Sequence, residues 1–223
     1  MTTIAANAVE DGNDTLNQWR EALPVYRTDT LTLREVESAD AASLVHHLRS
    51  EEVSRSISSP PPPNAAALEA WIDRARTKRA EGARACFGIV PAGGAHAVGV
   101  IQLWRLERAG DSSVWEMGFA IGSEFWGTGI FQQAARAALA IAFDALQATR
   151  VIANCLVENG RGNRALEKLG AMQTGIALQT PDPDGNIGDF KTWEFRKETF
   201  DAPRVARNDD ADGIGRPSEK GDG

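Results

Sequence analysis

The sequence predicts one α/β (α+β) domain, a mixed sheet of about seven strands with four helices on its faces, and three observations carry that reading. Segments such as LTLREV (31–36) alternate apolar and polar residues with the period of a half-buried strand. Residues 129–146 instead repeat apolar side chains at three- and four-residue intervals, the period of a helix. RVIANCLV (150–157) is almost continuously apolar, the mark of a central strand covered on both faces. Along the chain the order is β α α β β β α β α β β.

The first strand, LTLREV, leads into SAD, where the Asp40 carboxylate is placed to cap the helix AASLVHHLRS (41–50). Leu44 and Leu48 mark the apolar face of that helix. His46 and His47 lie beside it, and no acidic or nucleophilic residue is spaced to meet them, so neither is expected to be catalytic. SSPPPPN (58–64) excludes helix, because proline lacks an N–H and fixes φ. Asn64 then caps AAALEAWIDRARTKRAEG (65–82), whose Ala67, Trp71 and Ala75 share a stripe.

Three strands follow, ARACFGIV (83–90), AVGVIQLWRLE (97–107) and SVWEMGFAIG (113–122), with PAGG and RAGDS as hairpin separators. In the helix at 129–146 Phe131, Ala135, Ala138, Ala142 and Ala145 recur at three- and four-residue intervals, and its alanines permit close approach to a sheet. After the central strand, GRGNRALEKLG (160–170) reads as a short helix with Leu166 and Leu169 inward and Gly170 at its exit. GIALQT (175–180), the PDPDGNIGD turn and DFKTWEFRKETF (189–200) close the sheet.

Composition narrows the function. At 223 residues the chain holds one substantial core without needing a second domain. Residues 1–27 lack periodicity and read as an arm or an extra short element, and 201–223, rich in Asp, Gly and Pro, read as a disordered tail, leaving 28–200 as the domain. No apolar run approaches a membrane span and the opening segment has no signal-peptide pattern, so a cytoplasmic protein with no membrane partner is expected. A formal charge of −7 argues against nucleic-acid binding and suits a basic substrate such as a protonated amine. Cys86 and Cys155 sit in apolar runs without metal-ligand spacing; they read as inert buried thiols in a reducing compartment, and no metal site is expected.

The segment IGSEFWGTGIFQQAARAALAIAF joins a strand to a helix through Gly127 and Gly129. Glycines there turn the backbone tightly and expose N–H groups beside the positive end of a helix, which suits a phosphate or pyrophosphate. A plain strand-to-helix turn is the alternative. It is neither a GxGxxG fingerprint, since position 132 is Gln, nor a GxxxxGK[ST] loop.

In order and in local residues, 28–200 resembles the GNAT-superfamily N-acetyltransferases of the group that includes the ribosomal-protein N-terminal acetyltransferases. LTLREVESADAASL resembles the opening strand and helix, AAALEAWIDRA after the proline break the second helix, WEMGFAIGSEFWGTGI the catalytic strand and pyrophosphate loop, and ENGRGNRALEKLGA the second cofactor segment. The resemblance implies a mostly antiparallel sheet whose strands part around residues 119 and 152 to admit acetyl-CoA. It implies N–H groups of Trp126, Gly127, Thr128, Gly129 and Ile130 on the pyrophosphate, main-chain bonds from Phe119, Ala120 and Ile121 to the pantetheine arm, and cofactor contacts from Asn159 and Gly162. It also implies Glu116 as general base, an amine substrate that is either a peptide N-terminus or a small molecule, and a possible homodimer.

The chain departs from the family pattern at Glu124, where Gln or Arg is usual, at Gly162 for Ser and at Ala171 for Phe. Its only tyrosine, Tyr26, lies outside the segments where relatives place a proton donor, and Cys155 reads as core rather than as a substitute. A longer acyl-CoA donor, or a non-catalytic CoA-binding domain, are the competing readings. Glu51, Glu52, Asp182, Asp184 and Asp189 are candidates for attracting an ammonium, or loop residues facing solvent; Trp104 and Trp193 are a substrate wall or core.

Overall fold

The computed structural model describes residues 18–57, 61–106, 113–181 and 187–200. Eight strands form one sheet: β1 (Tyr26–Arg27), β2 (Leu31–Glu35), β3 (Arg84–Pro91), β4 (Gly99–Arg105), β5 (Val114–Ile121), β6 (Arg150–Leu156), β7 (Met172–Pro181) and β8 (Ile187–Arg196). Their order is β1-β2-β3-β4-β5-β6-β8-β7, and β5–β6 is the parallel pair in an otherwise antiparallel sheet. The helices are α1 (Ala41–Leu48), α2 (Glu51–Ser54), α3 (Ala65–Ala80), α4 (Ile130–Asp144) and α5 (Gly160–Lys168). The sequence reading missed the two-residue β1 and the four-residue α2, both too short to show a period.

Each face of the sheet has its own core. Trp115, Met117 and Ile121 of β5 pack with Ala134, Ala138 and Ala142 of α4 and Leu166 of α5. Cys86, Val90 and Val100 meet Leu44 and Leu48 of α1, Val53 of α2, and Leu68, Ile72 and Ala75 of α3 on the other face. The buried stripe of α3 is therefore Leu68, Ile72 and Ala75, one position on from the expected Ala67 and Trp71, because the larger aliphatics reach the sheet. Asn64 caps α3 as expected, its Oδ1 accepting the Ala67 N–H at 2.9 Å. Upstream of β1, Trp19 is buried and meets Trp115 edge to face, with centroids 5.7 Å apart.

Asp40 does not cap α1. It already has helical φ and ψ at the end of a 3-10 turn, so its side chain points inward and is fully buried. Oδ2 accepts from Arg34 Nη1 at 2.8 Å and from the Glu37 N–H at 2.8 Å, while Oδ1 accepts from Arg34 Nη2 and the Ala97 N–H, both at 2.9 Å. Burial alone pushes this carboxyl up, but the four hydrogen bonds and the Arg34 charge prevail and hold it below the ordinary Asp value. The cluster fixes where α1 leaves the sheet.

The central strand β6 is buried at residues 151–153 and at Cys155, half-buried at its ends Arg150 and Leu156, and exposed at Asn154. The RAGDS separator, most of the 181–189 turn with Asp182 and Asp184, the first seventeen residues and the 201–223 tail lie outside the described residues.

Candidate active site

The site is set by a fork in the sheet. β5 and β6 pair at Val114↔Arg150, Trp115↔Val151 and Glu116↔Ile152, and pairing stops there although both strands continue. Residues 117–121 keep their bonds to β4 on one edge, and among the described residues no strand pairs with the other. Phe119, Ala120 and Ile121 thus border an open wedge, and the Ile121 carbonyl accepts the Trp126 indole N–H at 3.2 Å. A row of main-chain groups without a neighbouring strand is a natural docking edge for an extended ligand.

Glu116 stands at the last paired position of the fork. Its Oε1 accepts from Asn154 Nδ2 at 2.9 Å, and Asn154 Oδ1 accepts from Thr192 Oγ1 at 2.9 Å, so a polar chain crosses β5, β6 and β8 on one face. Trp104 is opposite Glu116 on β4, and its ring lies over Gly118: a Cβ at 118 would be 2.9 Å from ring carbons. Trp104 therefore borders the site, whereas Trp193 is core, its Nε1 donating to Asn163 Oδ1 at 2.9 Å.

Beyond the wedge comes the glycine loop. Gly127 and Gly129 have φ of +78° and +86°, the left-handed region that favours glycine, and no atom lies within 4 Å of where either Cβ would stand. No hydrogen bond among the described residues uses the N–H of Gly127, Thr128 or Gly129. They adjoin the first turn of α4, whose leading N–H groups also lack helical partners and carry a partial positive charge. Two expected donors are engaged: the Trp126 N–H donates to the Ser123 carbonyl at 3.1 Å, and the Ile130 N–H has Thr128 Oγ1 at 3.4 Å.

The second segment, at the start of α5, is closed on itself. Asn159 Oδ1 accepts the Gly162 N–H at 2.8 Å and its Nδ2 donates to the Ser56 carbonyl at 2.7 Å, so its side chain works as a helix cap and as a tie to the turn after α2. A Cβ at Gly162 would lie 2.7 Å from Asn159 Nδ2 and 2.8 Å from Cys155 Sγ, so glycine is required by packing. Arg161 reaches back over the Trp126 ring, its Cζ 3.5 Å from the centroid, bringing a cation to the glycine loop.

The expectation that no acid meets the histidines is overturned. His47 Nδ1 and Glu124 Oε1 are 2.6 Å apart, joining α1 to the β5–α4 loop. Burial tends to raise the Glu124 carboxyl, but its own backbone N–H and His47 together lower it. Sequence reading also missed Asn163, a buried asparagine inside α5 whose Nδ2 donates to the carbonyls of Leu156 and Asn159. A poor helix former one helical turn from Leu166 was the available signal. Cys155 is buried, and desolvation pushes its thiol up to about 11. Glu51, on the exposed side of α2, pairs with Arg55, the residue that follows the helix.

A forked α/β sheet with left-handed glycines and unpaired N–H groups at the mouth of α4 defines the fold and the candidate site. Residues 30–172 match the acetyltransferase (GNAT) domain model, and the chain belongs to that family. A comparison with curated proteins found no match. Among solved structures, the ribosomal-protein-S5-alanine acetyltransferase from Vibrio fischeri superposes with a TM-score of 0.69 at 15 % identity, over 80 % of this chain and 99 % of its own. RimJ from Mycobacterium smegmatis, solved in complex with CoA-disulfide, gives 0.67 at 20 % identity, over 78 % and 87 %. A GCN5-related N-acetyltransferase from Brucella melitensis gives 0.64 at 20 %, over 78 % of each chain. At these identities the superpositions speak to fold. Among the described residues no helix is long and apolar enough to cross a membrane.

Proposed function

We propose that the protein is an acetyl-CoA-dependent N-acetyltransferase that passes the acetyl group directly to a primary amine in a ternary complex. One observation carries this reading: the edge of β5 left open past the fork has a carboxylate, Glu116, at one end and leads at the other to the unpartnered N–H groups at the mouth of α4. The left-handed glycines and the open space above them fit a pyrophosphate, held by Gly127, Thr128 and Gly129 with the first turn of α4. The free edge at residues 119–121 suits the amide groups of a pantetheine arm. Arg161 supplies a cation for the same anion, while Asn159 and Gly162 serve by shaping the start of α5.

Acetyl-CoA supplies an acetyl group activated as a thioester. Glu116, held by Asn154, takes a proton from the incoming ammonium, directly or through a water, and leaves the neutral amine as nucleophile. The wedge orients the reacting groups. Tyr26 sits in β1, four strands from β5 in the sheet, so it does not serve as an acid here.

The acceptor is an amine approaching over Trp104, Glu116 and Asn154. The similarity in fold to the ribosomal-protein-S5-alanine acetyltransferase from Vibrio fischeri makes a peptide N-terminus the first class to assay. The test is thiol release from acetyl-, propionyl- and succinyl-CoA across a panel of N-terminal peptides and small amines. Acetyl-CoA turnover that depends on one amine class supports the proposal; no release above hydrolysis with any amine overturns it.

A further inference from the structure

Outside the transfer cleft, one cluster of side chains has the makings of a ligand site. His46 and His47 end α1, and Glu124 lies in the 3-10 turn Ser123–Phe125 that opens the glycine loop. One ligand atom from each of the three lies within 4.8 Å of the others. His47 Nδ1 and Glu124 Oε1 are already 2.6 Å apart, and the two imidazoles meet edge to face with centroids 4.9 Å apart.

The surroundings hold this arrangement in place. A Cβ at Gly122 would lie 2.6 Å from Glu124 Oε2 and 3.1 Å from the His47 Cβ, so glycine there makes room for the carboxylate to fold back onto α1. The Phe125 ring stands edge-on to His47 at 5.6 Å, limiting its rotation. His46 is exposed, leaving its ring free to turn by the roughly 1 Å that a shared ion requires and leaving the remaining positions to water.

We propose that His46, His47 and Glu124 form a binding site for a divalent ion of the zinc type, which clamps α1 to the loop ahead of α4. Two imidazoles and one carboxylate match the donor preference of Zn²⁺ at about 2.0–2.2 Å and are poor for Mg²⁺ or Ca²⁺, which favour all-oxygen shells. The ion replaces the proton shared by His47 and Glu124. Because Glu124 lies three residues before Gly127, the clamp fixes one end of the anion cradle, and linkage makes metal and CoA affinities interdependent. The sequence concealed this site because Glu124 lies 77 residues from His47.

The test uses the untagged full-length chain, freed of metal, titrated with Zn²⁺ alone by calorimetry, with Mg²⁺ as a control. One ion per chain is expected, with at least tenfold weaker binding in each of His46→Ala, His47→Ala and Glu124→Gln, and unchanged binding in a variant of the chain's third histidine, His96→Ala. Melting curves establish that the variants fold. Absence of saturable Zn²⁺ binding, or binding that survives all three substitutions together, would overturn the site. The titration requires no turnover, so its failure leaves the transfer reading standing, and the reverse.

Discussion

Asn154 Nδ2 donates to Glu116 Oε1 at 2.9 Å across the point where β5 and β6 stop pairing. The bond links the residue at the fork to the one exposed position of the central strand, and Thr192 extends the chain to β8. Glu116→Gln is expected to lower kcat at least tenfold near neutral pH while leaving CoA affinity within about twofold, a split that marks a group acting on the amine rather than on the carrier. Raising the pH, which deprotonates the amine without help, should narrow the gap. Steady-state rates between pH 6.5 and 9.5 check both points, and unchanged turnover at the lower end would remove Glu116 from the reaction.

Asn154→Ala should weaken the same step less, by about threefold to tenfold, since it removes one hydrogen bond to the carboxylate and leaves the carboxylate in place. Its signature is a shifted pH profile with unaltered CoA binding.

The cradle makes a separate prediction. Gly129→Ala forces a Cβ into the left-handed region at a cost of about 1–2 kcal/mol, and relief of that strain turns the exposed N–H groups away. CoA affinity should fall at least tenfold by calorimetry and stay unchanged in Gly93→Ala, a φ of +75° in the β3–β4 turn, where only stability should change.

Restoring the family's serine should do harm. Gly162→Ser places its Cβ against Asn159 and Cys155, so it should destabilise by about 1–3 kcal/mol and disturb the α5 cap. A urea melt of the variant with equal or greater stability than the parent would show that α5 can shift to accept it.

How much of this the sequence disclosed depended on distance along the chain. The Asn64 cap was legible because donor and acceptor are three residues apart, and the glycine loop because spacing and helical period meet within one segment. Asp40 was misread as a cap because its carboxylate turns inward to Arg34, the Glu37 N–H and the Ala97 N–H, and the last of these, 57 residues away, is brought there only by the β3–β4 hairpin. Asn163 with Trp193, and His47 with Glu124, were hidden for the same reason: each pair exists only once the sheet has been wound. Gly162 looked like a lost hydroxyl until its crowded surroundings showed why nothing larger stands there.

Asp40 gives a pH prediction. Its folded carboxyl sits below the unfolded value of about 4, so its contribution is fully present above that value and is lost as pH falls through the lower folded value. Asp40→Ala leaves the half-buried Arg34 and two N–H groups without their acceptor and should cost about 3 kcal/mol at pH 7, less at pH 3. Urea midpoints of both proteins at the two pH values test the sign; a gap that widened in acid would contradict it.

The most direct measurement is a crystal structure of the chain with coenzyme A. The account predicts pyrophosphate oxygens within hydrogen-bonding distance of the Gly127, Thr128 and Gly129 N–H groups, and the thiol in the wedge between Phe119 and Ile152, on the side of Glu116. Coenzyme A bound elsewhere, with the mouth of α4 empty, would contradict it.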